Sequence, residues 1–171
     1  MVAGCPACQV LATRAGVRAG FSVALIAPAQ GRAALVSLRS DGSVGGVANV
    51  PYGSSFPSPD GAALPCDEAS RCLVTALQPD GHAVVSAWQL GDSGGWTDVS
   101  IPGGFVSLTG RAGPADLDGG LGVAVQVTAA DGAAWLVYAW SGQGYAVLGC
   151  TTASDAAEPD VGSLSQDNCP S

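Results

Sequence analysis

The sequence predicts an all-β protein assembled from three repeats, and three observations carry that expectation. Apolar runs of strand length are separated by turns rich in Gly and Asp, the residues that supply the positive φ angles hairpins need. These runs recur with a period of about 50 residues, beginning at Val23, Leu73 and Val123. Charged residues are 12% of the chain against 47% hydrophobic, so Ser, Thr, Gln, Gly and backbone groups must finish the surface, as in Gly-rich β proteins more than in helical ones.

Taken in order, residues 1–8 read as an N-terminal anchor or linker, 9–150 as a single all-β repeat domain and 151–171 as a C-terminal tail. Val10-Leu11-Ala12-Thr13 is a short strand candidate that leads through Arg14-Ala15-Gly16 into the first repeat. In each repeat the first run ends in a turn carrying Gly31, Gly81 or Gly132. The second runs are 33–38, 83–88 and 135–140, and each closes on a Gly-rich connection, at 40–46, 91–95 and 141–144. A third run ends at Val50, Val99 and Leu148, giving three strands per unit. Phe105-Val106-Ser107-Leu108 is expected to be the fourth strand of the third unit, in the manner of Val10–Thr13 in the first. Before the second unit the counterpart is blurred by a loop holding Pro51, Pro57, Pro59 and Pro65.

One unit of three or four antiparallel strands has two faces and cannot cover both, so neighbouring units must bury one another's apolar rows. Trp88, Trp96, Trp135 and Trp140 are the side chains expected to fill those seams.

Pro114-Ala115-Asp116-Leu117-Asp118-Gly119-Gly120, followed by the run from Leu121 and the turn Asp131-Gly132, resembles the FG-GAP or VCBS-type β-propeller repeat. The resemblance is fullest in the third unit, and the other two lack its Asp-x-Asp-Gly signature. It implies a β-propeller-like arrangement. Three blades are fewer than the four or more that close a propeller, which leaves part of a larger ring, a trefoil-like barrel or a β-sandwich as alternatives.

Six cysteines in a chain with one Met and one His point to an oxidising compartment, where thiols pair. Proximity pairs Cys66 with Cys72 and Cys150 with Cys169, the second bridge tethering a polar tail. The rival is a bridge from Cys8 to Cys150, expected if Val10–Thr13 completes the sheet of the third repeat. Val2-Ala3-Gly4-Cys5 resembles the bacterial lipobox, which implies Cys5 as the lipidation candidate and a lipid anchor on the extracytoplasmic side. No stretch approaches the roughly 18 apolar residues of a membrane span.

The net charge of −8, with six scattered Arg and no Lys, excludes a nucleic-acid footprint and removes Schiff-base and phosphate-loop lysine chemistry. Gly91-Asp92-Ser93-Gly94-Gly95 looks like the nucleophile motif of trypsin-type serine proteases, with Ser93 in the attacking position. That mechanism needs a histidine base and an aspartate to orient it. His82, the one histidine, sits only eleven positions upstream in the turn Asp80-Gly81-His82, so the motif reads as a turn. Cys5-Pro-Ala-Cys8 resembles a thioredoxin-like pair but has no strand before it. Asp116 and Asp118 have a calcium-loop spacing, although the positions after them, Gly120 and Ala124, supply no further ligands.

The function expected from these residues is an exported, non-enzymatic binding or scaffold module of the bacterial cell envelope, without cofactor. Loops such as Pro51–Arg71 would face a protein or glycan partner. An accessory lipoprotein subunit of a membrane complex is the second expectation. A hydrolase using Asp116 and Asp118 is the third.

Overall fold

The computed structural model describes residues 7–28, 32–53, 55–57, 63–118, 120–151, 155–167 and 169–170. β1 (Cys8–Arg18), β2 (Phe21–Pro28), β3 (Ala34–Arg39) and β4 (Val44–Asn49) form an antiparallel sheet in chain order. β5 (Arg71–Leu77), β6 (Ala83–Leu90), β7 (Trp96–Asp98) and β8 (Phe105–Ser107) form a second. β9 (Ala112–Leu117), β10 (Gly120–Ala129), β11 (Gly132–Trp140) and β12 (Tyr145–Cys150) form a third, again in chain order. In the hairpins Val23 faces Ser37, Leu73 faces Ala87, and Val123 faces Tyr138.

No sheet closes on itself, so the trefoil-like barrel is not formed. A two-layer sandwich is not formed either, because apolar clusters fill two successive seams, one between the first and second sheets and one between the second and third. β5 and β6 of the middle sheet are therefore covered on both faces. Val74, Trp88 and Leu90 pack with Val23, Leu25 and Leu35 on one side, while Leu73, Val85 and Ala87 pack with Val123 and Leu136 on the other. Because successive side chains of a strand point to opposite faces, a strand covered on both sides must be apolar at nearly every position. β6 is buried at every position but Gln89, which explains the continuous run from Ala83.

The third strand of the middle sheet is split. β7 pairs with Trp88–Leu90 and β8 with Ala83–Val85, both along the same edge of β6. Between them the chain bulges at Pro102-Gly103-Gly104, where proline cannot donate to the ladder and both glycines hold positive φ, 85° and 79°. Ser100 bridges the gap by accepting the Ala87 N–H on its Oγ at 2.8 Å. Phe105–Ser107 thus belongs to the second sheet, contrary to its expected place in the third. The fourth strand of the third sheet is Ala112–Leu117, which tolerates Pro114 because β9 is an edge strand paired only with β10.

The Pro-rich connection before β5 is anchored by buried residues, while Pro51, Ser55, Pro57 and Ala63 remain exposed. Val50 and Leu64 are fully buried between the first two sheets. Single bridges from Ser55 to Leu77 and from Cys66 to Cys72 stand where the other sheets have a full fourth strand. Residues 58–62 of this loop lie outside the described residues.

Beyond the third sheet, the tail pairs Ser165 with Cys150 and carries a 3-10 turn at Val161–Ser163, capped by the Asp160 carboxylate. Leu164 packs on Trp135 and Ala124, covering the sheet's outer face. Trp88 and Trp96 fill the first seam and Trp140 the second, whereas Trp135 lies on that outer face and donates its indole N–H to the Ala156 carbonyl at 3.2 Å.

Candidate functional site

Turns from all three sheets meet around one cleft of about 860 Å³. The first sheet contributes 14–17, where β1 breaks register with β2 and Gly16 takes φ 65°. The second contributes Cys66, Asp67, Glu68, Ala69 and Arg71, and the third Asp116, Leu117, Asp118, Gly120 and Leu121 of the β9–β10 hairpin.

The wall from the second sheet is braced from several directions. Cys66 and Cys72 are disulfide-bonded across adjacent strand positions. Ser70 is the one non-glycine with positive φ, 65°, among the described residues, a conformation that costs of order 1–3 kcal/mol and persists only where surrounding contacts impose it. Here its buried hydroxyl donates to the Val17 carbonyl at 2.8 Å, tying the turn to β1. Asp67 accepts from the backbone N–H of Arg71 at 2.9 Å and from its guanidinium at 2.7 and 2.6 Å. Both side chains are withdrawn from water, at 8% and 6% exposure for Arg71 and Asp67.

The Arg71 guanidinium lies 4.7 Å from the ring centroid of Trp140. Trp140 meets Tyr145 edge-on at 5.4 Å, and Tyr145 meets Phe105 at 5.3 Å. Burial pushes the Tyr145 phenol up to about 12. Gly120 adjoins this ion pair with φ 123°, a conformation that favours glycine.

Asp116 and Asp118 are exposed on the hairpin tip and line the cleft. Among the described residues no group of three His, Cys, Asp or Glu is arranged to hold a metal ion. Neither carboxylate receives a hydrogen bond from a side chain among the described residues.

The protease-like motif comes apart in the structure. His82 precedes β6 and Ser93 follows it, and eight strand residues at about 3.3 Å each set the two roughly 25 Å apart. Asp92 bonds Arg18, and His82 bonds its neighbour Asp80. The glycines have a packing role. A Cβ on Gly94, at φ 88°, would lie 2.5 Å from Phe21 Cε1, and one on Gly46 would lie 2.5 Å from the Gly94 carbonyl oxygen. Ser37, buried on β3, donates to that same oxygen at 2.6 Å. Gly91–Gly95 is a turn seated on the first sheet.

Cys150 is bonded to Cys169, and Val10–Thr13 pairs with β2, so the rival bridge from Cys8 to Cys150 is not made. Cys8 is itself disulfide-bonded. Cys5 lies outside the described residues. Sequence reasoning missed Arg14, Asp67, Glu68 and Arg71 as cleft residues. The one local signal was Arg71, a charge at the mouth of the apolar run Cys72-Leu73-Val74.

Comparison with known proteins finds no matching family model, no curated protein of significant similarity and no solved structure of significant likeness.

Proposed function

We propose that the protein is an exported, non-enzymatic binding module of the cell envelope whose binding surface is the three-sheet cleft. The observation that supports this most is the bracing of that cleft: a buried ion pair, a disulfide and a left-handed Ser70 hold its walls before any partner arrives. Pre-organisation of this kind lowers the ordering cost of association. Disulfides favour an oxidising compartment, and attachment to the envelope is the finer part of the proposal. In this reading the three sheets are repeats of one blade-like unit, packed in the β-propeller manner of the FG-GAP or VCBS-type repeat that the third unit resembles. The recurring hairpin registers support it.

The test screens the full chain on glycan and peptide arrays beside Arg14→Ala and Glu68→Ala, two exposed cleft substitutions, and Arg32→Ala outside the cleft. Binding that is lost in the first two and kept in the third is the expected result. Binding indifferent to all three sinks the assignment of the cleft.

A further inference from the structure

Beside the cleft runs a second groove of about 580 Å³, and the two share Asp116, Leu117, Asp118, Gly120 and Leu121. Its far wall is apolar: Trp140 and Ala139 from β11, Leu148 from β12 and Val161 from the 3-10 turn. Leu148 is 37% exposed and Val161 40%, unusual for aliphatic side chains that converge on one concavity. Asp116 and Asp118 are the only charged residues in the described lining, and no described residue pairs with either. In the adjoining cleft Arg71 is neutralised by Asp67, and exposed Arg14 is matched in number by Glu68. Two carboxylates are left without a cation, on a chain that carries −8 overall.

We propose that this groove docks a segment of a partner protein in which a basic side chain adjoins apolar ones. The inference rests on the binding-module reading and names the partner of its surface. A Lys or Arg side chain fits the place chemically, because its methylene stem can lie along Leu148 and Val161 while its charged head reaches Asp116 and Asp118. Phosphates, nucleic acid and anionic headgroups are repelled by the same carboxylates.

The experiment titrates the full chain with a labelled octapeptide alternating Lys and Leu, and with two controls that replace Lys by Glu or Leu by Ser. Saturable binding of the first peptide alone is expected. Affinity should fall at least about tenfold, some 1.4 kcal/mol, in Asp116→Asn/Asp118→Asn and in Leu148→Ser. It should hold within about twofold in Asp131→Asn/Asp155→Asn, which removes the same charge elsewhere. Equal losses in both double variants would mean diffuse charge attraction and overturn the proposal, as would absence of binding. Should the peptide fail while Arg14→Ala still abolishes an array ligand, the binding-module reading stands and this docking site falls.

Discussion

Ser93 and Gly94 are neighbours with opposite expected sensitivities. Ser93 is exposed and its side chain has no role in the turn. Ser93→Ala should therefore leave the denaturation midpoint unchanged, and a fluorophosphonate probe should not label the wild-type chain. Gly94→Ala forces a Cβ into Phe21 at φ 88° and should lower stability by about 2 kcal/mol or more, read by urea unfolding. Tyr145 gives a pH dependence with a definite sign. Its phenol is raised from 10.0 to about 12 by burial, so the folded state holds this proton more tightly than the unfolded chain. The contribution is fully present below pH 10 and is lost as pH climbs to about 12. Alkaline unfolding followed by tyrosinate absorbance should show that loss, and Tyr145→Phe should remove its share of it.

At the scale of elements, the turn from Cys66 to Cys72 joins the cleft to the seam between the second and third sheets. Asp67→Asn leaves the Arg71 guanidinium buried without its counter-ion, which should cost about 3–5 kcal/mol. The double replacement Asp67→Ala/Arg71→Met should recover much of it, because no buried charge then remains; thermal melts of the three proteins decide. Hairpins of this chain are readable from sequence because their turns state their own requirement: Gly42, Gly81 and Gly142 all take positive φ. The split third strand was not readable. Phe105-Val106-Ser107 has a strand pattern wherever it is placed, and its assignment to β6 depends on a bulge at Gly103-Gly104 that reads equally well as the end of a unit. The cleft was hidden for a related reason. Arg14, Asp67 and Asp116 lie about 50 residues apart in sequence, and local periodicity carries no information on which turns converge.

For the molecule as a whole, the two described bridges act at different ends of the architecture. They close loops of 6 and 19 residues in sequence separation, for which chain entropy gives roughly 2 and 3 kcal/mol. Replacing Cys150 and Cys169 together by Ala should lower stability by about that larger amount, keep the β circular dichroism, and speed proteolysis of the tail that Leu164 holds on Trp135. The middle sheet has a further consequence, in the order of synthesis. When β8 has emerged from the ribosome, Val74 and Trp88 already have the first sheet to cover them, but Leu73, Val85 and Ala87 await strands that have not yet emerged. Until β10 arrives the nascent chain carries a sheet with one apolar face bare, the kind of surface chaperones bind and aggregates grow from. A stall that leaves the chain emerged as far as Ser107 should therefore yield more chaperone-bound nascent chain than one that leaves it emerged only to Asn49, where no strand of the next sheet is exposed.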